Sequence, residues 1–401
     1  MRVLISGAGI AGPALALWLH RAGADVTVVE RAARPRPGGQ AVDVRGVARV
    51  VVEPMGLRER IREDQVDERG FAMVDDRGRR TAEMPAGAFG GEGLVAEIEI
   101  ARGDLARILL DATAGDVRYR FGDRVVALGP DLGGVDVVFD GGTRERYDLV
   151  VGADGVHSGV RRLAFGPDER FVRHLGAYGA YFSVPDPGDL DRWLLMYNAP
   201  GGRVATLRPE RAGQAKAALT FREREPRFDR LSRPDAQRLL TERMTGAGWR
   251  VDELLAAMPY AGDFFFDAIS QVRVDRWARG RVVLLGDAGY CGSPLAGLGT
   301  SLSLVGAYVL AGELAAAIDP ERAFAAYQHV MADYVAGGLR LPPGGIGLFA
   351  PRSRAVVRLR ARTMGMMTRW PARQMLARQF GKADAITLPG YPILASPPGG
   401  R

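Results

Sequence analysis

The first thirty residues, "MRVLISGAGIAGPALALWLHRAGADVTVVE", constrain the chain more than any other stretch. "RVLI" and "DVTVVE" are short β-branched runs that suit buried strands. "GPALALWLHRAG" has apolar residues at helical spacing and Gly23 as a C-terminal stop. The product is one complete β-α-β unit. Its turn is Gly7-Ala8-Gly9-Ile10-Ala11-Gly12. Gly7 permits the tight turn, Gly9 lets backbone approach a pyrophosphate, and Gly12 lets the helix lie close to the strand. A diphosphate there meets unpaired N–H groups and the positive helix end. Glu30 closes the second strand eighteen residues after Gly12, where an acid reaches an adenosine ribose. Pro13 falls in the first helical turn, where its missing N–H costs little.

Charge narrows the function classes. The net charge is +7, yet residues 341–401 hold ten Lys/Arg and one acid, and the remainder has 44 basic and 46 acidic residues. The basic excess is local, which argues against a nucleic-acid-binding surface. Cys291 is the single cysteine, so no disulfide forms within the chain and a reducing cytosol suits it. "MRVLISGAG" has no leader pattern, so a cytoplasmic protein is expected. Residues 288–312 are uncharged and long enough to span a membrane. Gly289, Gly292, Pro294, Gly297 and Gly299 would break a lipid-facing helix there, which favours a pocket over a span.

Two further stretches end a strand in a glycine turn. "DLVVGADGVHSGVRR" leads into Asp154-Gly155, Ser158 and a basic helix start at Arg161 and Arg162; Asp154 or Ser158 could equally be a helix cap. "RVVLLGDAGYCGSPLAGLGTS" sets Asp287 at a strand end, before a Gly/Pro loop and a helix beginning near Thr300. Open α/β sheets bind ligands at such carboxyl ends, and an ionised carboxylate there accepts from sugar-like hydroxyls.

The expected fold is α/β with an α+β insert. A doubly wound, Rossmann-like unit takes residues 1–171 and 276–340, an antiparallel sheet occupies 172–275, and a bracing helix and tail fill 341–401. Asp140-Gly141-Gly142 predicts a hairpin. "LPGYPILASPPGGR" reads as a frayed end.

"GAGIAG" with Glu30, "GADGVHSGVRR" and "GRVVLLGDAG", in this order and spacing, resemble the FAD-dependent monooxygenases of the aromatic-hydroxylase type (group A) over residues 1–330. "GGQAVDVRG" and "FGKADAITLPGYP" resemble the subgroup of tetracycline-modifying and actinobacterial natural-product hydroxylases. The resemblance implies FAD as cofactor and NAD(P)H as a transient co-substrate. It implies that Glu30 holds the adenosine ribose with Arg31 beside the adenine, that Asp43, Arg45 and Arg102 lie on the flavin side, and that Asp287 accepts from the ribitol chain. Pro294, Gly297, Leu298, Gly299 and Thr300 would border the isoalloxazine, and Asp154 would serve both nucleotides. The family pattern Ala-Ala-His is Ala288-Gly289-Tyr290 here, and Gly-Gln-Gly-x-Asn is Gly297-Leu298-Gly299-Thr300-Ser301.

The implied chemistry runs through a C4a-hydroperoxyflavin that hydroxylates or epoxidises an aromatic or polyketide-like small molecule with O₂, so no catalytic nucleophile is needed. The four histidines and Cys291 show no metal-ligand spacing. Tyr181, Met196, Arg203, Phe221, Phe266 and Met367 are the candidate substrate contacts. Two rival readings are a redox-silent FAD-binding accessory protein and a flavin halogenase; the latter needs a Trp-x-Trp motif, and no two tryptophans are so spaced. A monomer or weak homodimer is expected, with the basic tail bracing the body in preference to a membrane.

Overall fold

The computed structural model describes residues 1–36, 38–89, 98–228, 231–367 and 381–395. The first sheet has the spatial order Ala278–Arg279, Val282–Leu284, Leu149–Gly152, Arg2–Ser6, Asp25–Glu30, Arg118–Phe121. From Val282–Leu284 onward every neighbouring pair is parallel. Parallel strands are covered on both faces, which is why Val3, Leu4, Ile5, Val28, Val150, Val151 and Val283 are all buried. The helix Ala11–Arg21 packs on Gly299–Ala316, which packs in turn on Pro320–Gly338. Gly299–Ala316 is long and apolar enough to cross a membrane, but 72% of it is buried inside the protein.

The second sheet has seven strands in the order Phe265–Val272, Val172–Pro185, Gln214–Arg222, Arg203–Pro209, Trp193–Ala199, Gly70–Val74, Arg80–Pro85. The last two precede residue 172, and Gly70–Val74 joins the sheet by pairing parallel to Trp193–Ala199. Helices Arg233–Met244 and Val251–Ala257 cover one face through Leu240, Met244, Val251 and Leu254. The other face turns toward the first sheet. The expected hairpin is present: Val135–Phe139 pairs antiparallel with Arg144–Tyr147, and Gly142 takes φ +82° in the turn.

Residues 388–395 of the stretch that composition marks as frayed are docked, and 396–401 lie outside the described residues. Tyr391 donates to Glu313 Oε1 at 2.6 Å, and Tyr308 donates to the Pro389 carbonyl at 3.0 Å. A Cβ on Gly312 would lie 2.2 Å from the Tyr391 ring. Gly312→Ala is therefore expected to expel that ring and lower stability by about 1–3 kcal/mol. A methyl at Gly337 meets nothing within 4 Å, so Gly337→Ala, in the last turn of the helix Pro320–Gly338, is expected to be neutral or to stabilise by up to about 0.5 kcal/mol. Thermal denaturation of both variants checks the pair. Farther back, the helix Arg354–Met367 rests on Arg80–Pro85 and Trp193–Ala199, and Arg360 donates to Asn198 Oδ1 at 3.0 Å and the Phe349 carbonyl at 3.1 Å.

Candidate cofactor cleft

The three glycine turns follow strands Arg2–Ser6, Leu149–Gly152 and Val282–Leu284, and Glu30 ends the strand Asp25–Glu30. These four strands are consecutive in the sheet and parallel, so all four carboxyl ends share one edge. The turns touch. Gly7 has φ +110°, and a Cβ there would lie 2.5 Å from the Ala153 carbonyl oxygen and 2.8 Å from Asp154 Cα. A Cβ on Gly12 would lie 1.9 Å from the Gly7 oxygen, and one on Gly286 3.2 Å from Ala11 Cβ. Gly7 and Gly12 are thus filled against protein. Gly9 is different: the nearest atom to its missing Cβ is Arg102 Nη2, at 3.5 Å, on an exposed side chain.

Charges gather around this opening. Glu30 accepts from the N–H groups of Ala8 (3.0 Å) and Ala32 (2.9 Å), which ties the end of its strand to the first turn. Burial and the nearby Arg31 and Arg102 push the Arg36 guanidinium below its usual range, with Glu30 opposing. Three guanidiniums near enough to feel one another's charge suit a polyanion. A cavity of about 400 Å³ opens beside them, lined by Arg31, Arg36, Gly122, Asp123 and Arg124. A larger one, about 750 Å³, lies between the helix Val47–Met55, Tyr308 and Leu388–Gly390, away from the three turns.

Asp287 opens a single helical turn, Asp287–Tyr290. Its Oδ1 is 3.8 Å from where a Cβ on Gly299 would stand, at the start of the long helix. Burial raises its carboxyl pKa, and Arg102 and Cys291 oppose that shift. Arg161, 0% exposed, fixes the turn by donating to the Ala288 carbonyl at 2.8 Å, to the Val156 carbonyl at 2.6 Å and to Asp168 at 2.6 Å. Ahead of the helix lie exposed Pro294 and Gly297, with Gly297 at φ +70°, then buried Leu298; Thr300, also buried, is the second residue of the helix.

The departures from the family pattern resolve differently from each other. Tyr290 points into the core: its hydroxyl meets Tyr327 at 2.6 Å, its ring lies 4.7 Å from Trp277, and Gly306 leaves room for it. Ser301 bonds both the N–H and the carbonyl of Arg45 at 3.3 Å. Arg45 itself is buried and its Nε donates to Asp43 at 2.8 Å. Asp154 caps: it accepts from Gly159 N–H (2.8 Å), Val160 N–H (3.2 Å), Ser6 (3.3 Å) and Ser158. Its carboxylate is spent on holding the second turn.

The candidate substrate contacts divide by sheet face. The cleft-facing side is identified by three links to the first unit. His157 Nε2 lies 2.9 Å from Asp267, Arg208 bonds Glu99, and the missing Cβ of Gly38 is 2.6 Å from Asp263 Oδ2. Tyr181 and Met196 are on that side, and Tyr181 stands opposite Ala218. Phe221 and Phe266 are corrected: both stack on Tyr178, at 5.9 and 5.6 Å, in the core under the helices. Arg203 shares their side, opposite Phe221, and donates to the Pro200 carbonyl at 3.2 Å. The Met367 side chain lies outside the described part of the chain. Lys216 is buried and bonds Ser183 at 2.7 Å and Asp263.

The FAD binding domain family matches residues 1–336. The chain belongs to that family. It is 43% identical over 356 residues to an uncharacterized protein of Mycobacterium tuberculosis (strain ATCC 25618 / H37Rv), covering 85% of this chain and 95% of that one. It is 38% identical over 336 residues to a flavin-dependent monooxygenase of Legionella longbeachae serogroup 1 (strain NSW150), covering 84% and 86%. The crystal structure of tetracycline destructase Tet(55) superposes with a TM-score of 0.80 at 34% identity, over 97% of this chain and 98% of that one. The protein is a flavin monooxygenase with FAD as cofactor, and the cleft fits that cofactor. Gly9 leaves the first turn open, the guanidinium cluster suits the diphosphate, and Glu30 and Asp287 are carboxylates at either end. Arg36, Arg124 and Asp267 escaped the sequence reading, and Arg161 was legible only as part of a basic helix start; the run "RAARPRPGG" directly after Glu30 was the one local signal for Arg36.

Proposed function

We propose that this protein takes two electrons from NAD(P)H and places one oxygen atom of O₂ on a flat aromatic or polyketide-like molecule, the other atom leaving as water. The observation that carries the reading is the half-open wall made by Tyr181, Thr206 and Ala218, on the one sheet face tied to the cofactor cleft. FAD supplies the oxygen-activating chemistry, which needs no protein nucleophile. Gly7, Gly9, Ala11 and Gly12 would cradle the diphosphate with Arg102. Glu30 and Arg31 would take the adenosine, and Asp287 the polyol. Asp43, Arg45, Pro294 and Gly297 to Thr300 would border the ring, with Asp154 holding the second turn in place.

The chain's own task is to position the substrate and keep water out. Burial, with Asp267 adding to it, pushes the Tyr181 hydroxyl up to about 12, so it stays protonated and donates to a phenolate or enolate oxygen. Met196 would close the far side, beneath Arg360. One glycine-turn β-α-β unit is present among the described residues, so NAD(P)H would approach the same cleft, past His157. The relation to a tetracycline destructase supports a polycyclic, oxygen-rich substrate.

The test is turnover with NADH or NADPH and isotopically labelled dioxygen over a panel of polycyclic phenols, read by mass spectrometry. The expected result is substrate-stimulated NAD(P)H oxidation and one labelled oxygen atom in the product. Flavin-loaded protein that consumes no NAD(P)H with any substrate would overturn the reading.

A further inference from the structure

The short strands Ala41–Asp43 and Glu99–Ala101 pair antiparallel with Asp43 directly opposite Glu99. Opposed residues share a sheet face, so the two carboxyls stand side by side. Glu99 is 2% exposed and Glu68, close by, 8%. Two guanidiniums enter the same space. Arg45 donates to Asp43, and Arg208, from the second sheet, donates to Glu68 Oε2 at 3.2 Å and to Glu99. Asp43, Glu68 and Glu99 are thus crowded around Arg45 and Arg208. An uncompensated buried charge is far costlier than a protonated carboxyl, and adjacent carboxylates resist ionising together. Burial and then Glu99 push the Asp43 carboxyl up to about 7, against the pull of Arg45 and Arg208.

The same two strands lead to the cleft. Arg45, two residues past Asp43, is bonded through its backbone to Ser301 at the start of the long helix. Arg102, directly after Ala101, faces Gly9. We propose that Asp43 and Glu99 share one proton at neutral pH, and that losing it weakens the hold of the cleft on FAD. Deprotonation adds a negative charge near an anionic ligand and sets two carboxylates against each other across the strands that carry Arg45 and Arg102. Glu99 is then a positioning residue, acting through Asp43. The inference rests on the FAD reading of the cleft.

The test has two arms. In the cofactor-free full-length protein, carbon-13 NMR of labelled aspartate carboxyls is expected to show one group titrating near pH 7, the value to which Asp43 is raised. That group should move toward the ordinary carboxylate range in Glu99→Gln and vanish in Asp43→Asn, while the signal of buried Asp287 stays. In the second arm, the Kd for FAD is measured from pH 6 to 8.5. Wild type is expected to bind about fourfold more weakly at the upper end, the effect of one added charge at intermediate distance and dielectric. Glu99→Gln should lose that fourfold fall, and since every other group facing the cleft, His157 beside Asp267 included, is common to both proteins, the comparison of the two isolates it. The inference is overturned if no aspartate titrates near neutrality, if that group ignores Glu99→Gln, or if the variant keeps the full fourfold fall. Should Glu99→Gln not fold, Asp43→Asn serves both arms. Failure to bind FAD at any pH would instead sink the cleft reading, with the NMR arm still deciding the shared proton.

Discussion

Gly7→Ala is expected to strip FAD from the protein, raising its Kd by at least about 100-fold, a loss near 2.7 kcal/mol. The backbone at Gly7 has φ +110°, and the added Cβ would stand 2.5 Å from the Ala153 oxygen, a backbone atom that cannot swing aside. The first and second turns would have to part, which is where the diphosphate is proposed to sit. Left-handed backbone alone costs about 1–3 kcal/mol at a non-glycine residue. Gly23→Ala separates the two effects: its φ is +82° and nothing lies within 4 Å of the new methyl. It should lose stability and keep FAD. Fluorescence titration of both variants is the check, and wild-type affinity in Gly7→Ala would show that the turn is not the phosphate site.

Asp287→Asn carries the second large effect. The side chain keeps its shape but loses its charge, and hydrogen bonds to charged groups contribute about 1.5–3 kcal/mol. FAD affinity should fall by about 10- to 100-fold. The stability of the cofactor-free protein should move the other way. Burial raises the folded pKa of Asp287, so the stability linked to its proton is full below the unfolded pKa and is lost as pH rises through the folded one. At neutral pH the asparagine variant is therefore expected to melt higher than wild type when both are free of FAD, and lower when both are saturated with it. A variant that binds FAD as wild type does would remove Asp287 from the cofactor site.

The features that sequence made legible are local ones. A strand, a glycine turn and a helix leave their pattern within thirty residues, and the three turns met at one sheet edge because parallel strands share a direction. What escaped depends on partners distant in the chain. Phe221 and Phe266 were assigned to the substrate side because the central strands of the second sheet carry apolar residues on both faces, so their runs show no alternation to mark which face is which. The strands Gly70–Val74 and Arg80–Pro85 joined that sheet across more than a hundred residues. The tail looked frayed from its Pro and Gly content, yet Tyr391 fills the space left by Gly312. Asp154 was legible as either a ligand residue or part of a cap, and its four donors within the chain show the capping part, beside Ser158 as the N-cap of Gly159–Ala164.

The most direct measurement of the whole account is the flavin-to-protein ratio after incubation with FAD and desalting. A single cofactor lying across three adjoining turns predicts a yellow protein with close to one flavin per chain, falling toward none in Gly7→Ala. A folded wild-type protein that emerges colourless would contradict it.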